Sequence, residues 1–170
     1  KAGAKIFIGH DVMNLRDSDT VIYSSAIKND NPEFVQAKKL KIRLIKRAQA
    51  LAELMKNKSV ITVAGSHGKT TTTSLVSFLL MEAGLNPTVA IGGILKNIDK
   101  NACSGKGKLF VAEADESDGS FLCYTPKYSI ITNIDYEHLD YYKDFKAVVS
   151  AFKDFLNKTD KDGCAPVAPT

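Results

Sequence analysis

An apolar, β-branched run that leads through two glycines into a helix constrains this chain more than any other feature. Residues 60–73 read VITVAGSHGKTTTT. Gly65 and Gly68 can adopt positive φ values, so successive backbone N–H groups can point towards one anion. Lys69 can then reach the β- and γ-phosphates of a nucleoside triphosphate, and the Thr70 hydroxyl can bind Mg²⁺. The stretch therefore predicts a strand, a phosphate-binding loop and a helix, with ATP as the ligand.

This loop departs from the full pattern G-x-x-x-x-G-K-[ST], because the first glycine position holds Val63. The alternative is a polar turn that caps an ordinary buried helix. Four consecutive threonines, at 70–73, argue against that alternative because β-branched residues are poor helix formers. We therefore predict nucleotide binding by residues of the loop and the first helical turn, namely Gly65, Ser66, His67, Gly68, Lys69, Thr70 and Thr71.

Composition and charge place the chain among soluble globular proteins, with 170 residues, 44% hydrophobic residues, 25% charged residues and a net charge of +4. The basic patch at 38–47 is interpreted as a solvated helix and strand end, so no nucleic-acid partner is expected. No apolar run reaches the roughly 18 residues of a membrane span, so no membrane partner is expected. Cys103, Cys123 and Cys164 share no C-x-x-C spacing, which favours reduced thiols in the cytoplasm.

The first part of the chain is predicted to alternate strands with helices. Asn31, Pro32 and Glu33 mark a helix start with Asn31 as the cap, and this helix is expected to end near Lys39. Apolar and β-branched runs predict strands at 5–10, 19–25 and 42–45, and helical spacing predicts a helix at 47–56. The change from a lysine-rich helix to a buried strand predicts a domain boundary after Asn57, which gives domains 1–57 and 58–170.

The second part is predicted to form an open, mostly parallel α/β sheet. A helix follows the phosphate loop and ends at Gly84, and further strands are expected at 88–91, 109–112 and 128–132. Gly92 and Gly93 are expected to end the first of these strands. An amphipathic helix is expected at 145–156. In such sheets ligands gather at the carboxyl ends of the strands.

Two of these strands lead into residues that can bind a metal or phosphate. Glu113 directly follows one strand, where it can complete a Mg²⁺ shell with Thr70. Its alternative is a solvated acidic loop, but four carboxylates within six residues repel one another unless a cation is present. His138 follows the next strand among acidic residues. Its chemistry leaves a structural role and a metal or phosphate role both open.

Together these segments resemble the Mur ligase family. The resemblance rests on residues 64–73, on the block EADESD at 113–118 with SF at 120–121, and on TNIDYEHLD at 132–140. Mur ligases share a shortened G-x-x-G-K-T loop, which accounts for Val63. The histidine before Gly68 and the acidic block are similar to those of the member that adds L-alanine. Residues 3–10 and 23–27 also match, and the resemblance ends near Asp160.

The resemblance implies the fold and the reaction. Residues 1–57 would be the last part of a Rossmann-like UDP-substrate domain, and residues 58–170 an incomplete P-loop-type α/β ATP-binding central domain. The enzyme would use ATP and Mg²⁺ to activate the lactyl carboxylate of UDP-N-acetylmuramate as an acyl phosphate. L-Alanine would then attack this carboxylate, in the synthesis of peptidoglycan precursors.

The resemblance also implies roles for individual residues. Lys69 would hold the transferred phosphate, Thr70 with Glu113 would bind one Mg²⁺, and His138 would serve a second metal. Weaker candidates for contacts to the UDP-sugar are Ser24, Ser25 and Asn133.

The chain lacks two parts that the family pattern contains, the glycine-rich opening of the first domain and a third domain. We therefore expect an internal segment of a longer ligase, inactive by itself, with residues 163–170 as a broken end. Two alternatives remain open. One is a related ligase that adds a peptide or glutamate, and the other is a P-loop ATPase without ligase activity.

Overall fold

The computed structural model describes residues 3–95, 99–138 and 140–167, and it divides the chain into two compact units, Lys1–Leu51 and Ala52–Thr170. The helices are α1 (Pro32–Lys39), α2 (Arg47–Met55), α3 (Lys69–Glu82) and α4 (Phe145–Leu156). The strands are β1 (Thr20–Tyr23), β2 (Arg43–Lys46), β3 (Ser59–Ala64), β4 (Thr88–Leu95), β5 (Lys100–Cys103), β6 (Leu109–Glu113) and β7 (Tyr128–Ile131). The domain boundary after Asn57 stays a prediction.

In the first unit, β1 and β2 pair in parallel, with Thr20 opposite Arg43. The start of α1 is the predicted one, because the Asn31 side chain accepts hydrogen bonds from the N–H groups of Glu33 and Phe34 at 3.0 and 3.2 Å. Phe34 is buried and meets the Tyr23 ring edge-on at 5.0 Å. This contact fastens α1 to the end of β1.

The strand predicted at 5–10 is wrong, since this segment has no regular secondary structure. The side chains of Ile6 and Ile8 are 83% and 98% exposed. Alternating apolar residues form a strand only where a neighbouring strand completes their hydrogen bonds. Within the described part of the chain, β1 and β2 pair with each other and no strand pairs with residues 5–10.

The second unit contains the predicted mostly parallel sheet, in the order β5-β4-β6-β3-β7. Strands β4, β6, β3 and β7 run parallel to one another, and β5 is an antiparallel edge strand. In this register Val63 lies opposite Glu113, and Ala64 lies opposite Ile131. The residues that follow β3, β6 and β7 therefore meet at one edge of the sheet.

Helix α3 covers one part of this sheet. Its apolar residues Val76, Leu80 and Met81 pack against a buried cluster on β4 and β6 that is formed by Val89, Ile91 and Val111. Burying a side chain as fully as those of Val89, Ile91 and Val111 contributes about 1.5–3 kcal/mol, and this packing holds α3 against the sheet.

Helix α4 has the predicted bounds and packs through its aromatic residues. Phe152 and Phe155 are buried against Phe121, with ring centroids 5.3 and 4.8 Å apart. Phe121 belongs to a short 3₁₀ turn at Ser120–Cys123, directly after the acidic block. The helix therefore anchors the loop that follows β6.

Gly92 and Gly93 do not end β4, which corrects the sequence prediction. The strand continues to Leu95 because the unpredicted β5 pairs with it, and the register shifts between Ala90 and Leu95. Glycines within a strand often mark such an irregularity or a close backbone approach.

Residues 163–167 of the expected broken end contact β7. The N–H groups of Ser129 and Ile131 donate to the carbonyl oxygens of Cys164 and Pro166, both at 3.0 Å. These contacts form parallel bridges beside β7. The rest of the expected broken end, residues 168–170, lies outside the described residues.

Candidate functional site at the phosphate loop

The loop between β3 and α3 depends on two glycines with positive φ. Gly65 has φ 129°, and Gly68, which caps α3, has φ 78°. A Cβ atom on Gly65 would collide with the Thr132 side chain and would lie 2.7 Å from the carbonyl oxygen of Asn133. A residue other than glycine at position 65 would therefore push the loop away from the end of β7.

The segment after β7 holds the loop through a set of hydrogen bonds. The Thr132 hydroxyl and the Asn133 amide both donate to the His67 carbonyl oxygen, at 2.6 and 3.0 Å. The Asn133 side-chain oxygen accepts from the His67 N–H at 2.9 Å, and its backbone oxygen accepts from the Ser66 N–H at 3.2 Å. The Asp135 N–H donates to the Ser66 hydroxyl at 2.9 Å. Asn133 thus shapes the loop, and its contact with a UDP-sugar stays a prediction.

Lys69 folds back over the loop that precedes it. Its ammonium donates to the carbonyl oxygens of Gly65 at 2.7 Å and Ser66 at 3.3 Å, and to Glu116 Oε1 at 3.0 Å. The side chain is 14% exposed. The ammonium and the positive end of α3 therefore lie at the same loop, an arrangement that suits phosphate.

Thr70 and Glu113 are in direct contact. The Thr70 hydroxyl lies 3.0 and 3.2 Å from the two carboxylate oxygens of Glu113, and the Gly92 N–H donates to Glu113 Oε2 at 2.9 Å. A Cβ on Gly92 would lie 3.2 Å from this carboxylate, and one on Gly93 would lie 2.8 Å from Thr70 Cγ2. Gly92 and Gly93 therefore let β4 pass close to the pair. Sequence reasoning missed this role, although glycines inside a strand were the available signal.

His138 lies beside Glu116, the carboxylate that also contacts Lys69. Its Nε2 is 3.6 Å from Glu116 Oε1 and 3.9 Å from Glu137 Oε2, and its φ of 58° is unusual for a residue other than glycine. His67 Nε2 lies 3.5 Å from Glu137 Oε1 and 3.7 Å from Asp135 Oδ2. In the described part of the chain, no group of three or more His, Cys, Asp and Glu residues could hold a metal. The metal role of His138 stays a prediction.

Glu116 is the functional candidate that sequence reasoning did not single out. Its side chain is 1% exposed and contacts both Lys69 and His138. The Tyr142 hydroxyl donates to its carbonyl oxygen at 2.6 Å. Burial raises the pKa of Tyr142 to about 12, and the neighbouring Tyr141 and Glu116 add to this effect. Nothing in the block EADESD distinguishes Glu116 from its acidic neighbours before the fold is known.

Three further predicted site residues make none of the contacts described above. Ser24 is half-buried and Ser25 is exposed, and both follow β1 in the first unit. Thr71 is exposed on the first turn of α3. Their contacts with substrate and nucleotide stay predictions. None of the helices within the described ranges has the length and apolarity needed to cross a bilayer.

Two family models match the chain. The model of the Mur ligase middle domain matches residues 63–168, and the model of the Mur ligase family catalytic domain matches residues 1–59.

Individual relatives are similar over nearly all of the chain. The UDP-N-acetylmuramate–L-alanine ligase of Aquifex aeolicus is 54% identical over 165 residues, which is 97% of this chain and 36% of that protein. The crystal structure of the UDP-N-acetylmuramate-alanine ligase from Thermotoga maritima is 34% identical, with a TM-score of 0.84 over 96% of this chain and 38% of that one.

A third relative attaches a different group according to its name. The UDP-N-acetylmuramate:L-alanyl-gamma-D-glutamyl-meso-diaminopimelate ligase from Neisseria meningitides is 27% identical, with a TM-score of 0.85 over 95% of this chain and 56% of that one. The chain thus spans little more than a third of the length of the curated relatives it matches.

Proposed function

The chain belongs to the Mur ligase family, and we propose that it forms part of an ATP-dependent ligase that joins L-alanine to UDP-N-acetylmuramate. One structural observation carries this proposal: the phosphate loop with Lys69 lies between Glu113 and residues 132–135, which follow β7. The chain is also 54% identical to a ligase of that name. The reaction would supply peptidoglycan precursors. ATP use and the unpaired thiols of the three cysteines favour a cytoplasmic location.

The proposed reaction has two steps. The γ-phosphoryl group of ATP passes to the lactyl carboxylate of UDP-N-acetylmuramate, which gives an acyl phosphate and ADP. The amine of L-alanine then attacks the acyl carbon, the amide bond forms, and phosphate leaves. Phosphoryl transfer of this kind needs positioning and charge neutralisation more than covalent help from the protein.

The phosphate loop supplies both requirements. Its N–H groups and the start of α3 would bind the phosphate chain, and Lys69 would neutralise charge on the transferred group. In the structure the three donors of this ammonium point to Gly65, Ser66 and Glu116. Nucleotide phosphate would replace the two loop carbonyl oxygens as the partner of Lys69, whereas the hydrogen bond from Lys69 to the buried Glu116 carboxylate can remain.

The residues at the loop fit a magnesium ion. The Thr70 hydroxyl and the Glu113 carboxylate are hard oxygen ligands in contact with each other, and Gly92 and Gly93 leave the space beside them free of side chains. Thr70 and Glu113 would hold the ion, and His138 would serve a second one. When bound, Mg²⁺ neutralises the phosphate oxygens and orients them for in-line transfer.

The test uses the full-length protein that carries this sequence. It is incubated with ATP, Mg²⁺, UDP-N-acetylmuramate and radiolabelled L-alanine, and labelled UDP-sugar product and ADP are measured together. We expect one ADP for each labelled product, with no product when the UDP-sugar is omitted. Labelled alanine that never enters the UDP-sugar would contradict the proposal.

The same assay separates the alternatives. The relative from Neisseria makes a peptide ligase the second candidate, and product formation with L-alanyl-γ-D-glutamyl-meso-diaminopimelate but not with L-alanine would establish it. ADP release that does not depend on the UDP-sugar would instead favour an ATPase. The isolated 170-residue chain is expected to form no product, because it spans only 36% of the length of the Aquifex ligase, and loss of reactant orientation costs up to ~7–11 kcal/mol of proximity advantage.

A further inference from the structure

The buried carboxylate of Glu116 connects two side chains that are open to the site. Its Oε1 lies 3.0 Å from Lys69 Nζ and 3.6 Å from His138 Nε2. Glu116 is 1% exposed, whereas the side chains of Lys69 and His138 are 14% and 31% exposed. A ligand can therefore reach the lysine and the histidine, but it cannot reach the carboxylate between them.

Stability alone does not explain this buried acid. Its Oε2 atom is buried and has no hydrogen-bond partner among the described residues. A buried charge with an unsatisfied oxygen costs several kcal/mol, and even well-paired buried ions often add little stability compared with apolar residues. A residue whose only task was to fill this space would be better replaced by an apolar side chain of similar size.

The backbone around His138 is also fastened to Glu116. The Tyr142 hydroxyl donates to the Glu116 carbonyl oxygen at 2.6 Å, and the N–H groups of Tyr141 and Tyr142 donate to the His138 carbonyl oxygen at 3.0 and 2.9 Å. His138 holds a left-handed φ of 58°, which the surrounding contacts must maintain. Residue 116 thus contacts the histidine through its side chain and the histidine's turn through its backbone.

We propose that Glu116 is a positioning residue for the ligase reaction, which holds the Lys69 ammonium and the His138 ring at a fixed separation through one shared oxygen. This inference rests on the proposed function and adds to it a residue that touches neither substrate nor nucleotide. Without the carboxylate, Lys69 keeps its two loop carbonyl partners but loses its link to His138. The phosphate site would then still bind nucleotide, yet the Lys69 ammonium and the His138 ring would no longer be aligned for transfer.

The first test compares Glu116→Gln with Asp115→Asn in the full-length protein. Both changes remove one negative charge from the same block. Asp115, however, is exposed, and its Oδ1 accepts a hydrogen bond from the Ser117 N–H, which asparagine can keep. We expect Glu116→Gln to lower kcat by about 10- to 100-fold, as loss of an outer partner of a functional side chain does. Its Kd for Mg·ATP should not rise by more than about twofold, because removing an anion beside Lys69 does not weaken phosphate attraction. Asp115→Asn should leave both values within about twofold.

The second test asks whether Glu116 acts through His138. In a His138→Ala background, Glu116→Gln should lower kcat by no more than about threefold, because the residue it positions is already gone. Equal losses in the two backgrounds would overturn the proposal, as would an unchanged kcat in Glu116→Gln or a parallel loss of kcat and nucleotide affinity. If Glu116→Gln melts below the assay temperature, Glu116→Asp is measured instead, since it keeps the charge but is one methylene too short to reach both partners.

A third readout does not require ligase activity. The ring-nitrogen NMR signals of His138, assigned by their absence in His138→Ala, are compared at one pH in metal-free protein. Glu116→Gln should shift the His138 signals and leave those of His10 and His67 in place, while Asp115→Asn should shift none. Unmoved His138 signals would refute the positioning contact. Because this measurement needs no acceptor, failure of alanine ligation and failure of the Glu116 inference are seen separately.

Discussion

Replacing Gly65 by alanine tests how the phosphate loop is built. At φ 129° an alanine is strained by about 1–2 kcal/mol, and its Cβ would lie against the Thr132 side chain and 2.7 Å from the Asn133 carbonyl oxygen. Relieving this contact means losing the Ser66 N–H bond to Asn133 and the Thr132 hydroxyl bond to His67, at about 1 kcal/mol each. We therefore expect Gly65→Ala to lower the free energy of unfolding by about 3–4 kcal/mol.

Gly84→Ala is the matched control. Gly84 also has a positive φ, 73°, at the end of α3, but a Cβ there meets nothing within 4 Å. It should cost only the conformational strain of about 1–2 kcal/mol. Urea unfolding gives both values, and titration with a fluorescent ATP analogue should show binding lost in Gly65→Ala and kept in Gly84→Ala. Equal destabilisation by the two changes, with nucleotide binding intact in both, would refute the conclusion that Thr132 and Asn133 shape the phosphate loop.

Three further predictions concern single side chains of the site. Lys69→Ala should lower turnover of the full-length enzyme by about 10²-fold or more, measured as ADP release, and near-normal release would contradict the phosphate-loop assignment. Glu113→Ala should raise the Mg²⁺ concentration needed for activity while His138→Ala mainly lowers the maximal rate. An unchanged Mg²⁺ dependence in Glu113→Ala would mean that Glu113 only holds Thr70 and Gly92 in place. Tyr142 keeps its proton more tightly when folded, so its contribution to stability is complete below pH 10 and is lost as the pH rises towards 12. Tyr142→Phe should lack this alkaline loss in urea unfolding at pH 9 and pH 11, whereas the same pH dependence in both proteins would argue against a buried phenol.

Local rules predicted the elements that depend on local chemistry. The cap at Asn31 and the amphipathic spacing of 145–156 gave the bounds of α1 and α4, because capping and helical burial are decided within a few residues. The phosphate loop was equally visible, since its glycines, lysine and threonine are consecutive. Elements of this kind can be predicted from a short stretch of sequence alone.

Some elements that depend on a distant partner could not be predicted. Residues 5–10 alternate like a strand but pair with no strand of the described residues, whereas the polar segment KNAC of β5 becomes a strand because β4 lies beside it. Glu116 was hidden for the same reason. Four acidic residues occupy one short block, and only the packing of Tyr142 and Lys69 around one of them reveals which is buried.

The hydrogen bonds between residues 132–135 and the phosphate loop have a consequence for synthesis of the protein on the ribosome. Asn133 bonds to His67 across 66 positions of sequence, so β3 and α3 emerge from the exit tunnel long before the residues that shape their loop. Contacts between residues so far apart in sequence form late, because closing the intervening chain lowers its conformational entropy before the contacts stabilise the fold. A nascent chain halted before residue 132 should therefore carry the glycines, Lys69 and Thr70 and still fail to retain ATP. Nucleotide capture during translation should begin only once β7 has docked beside β3.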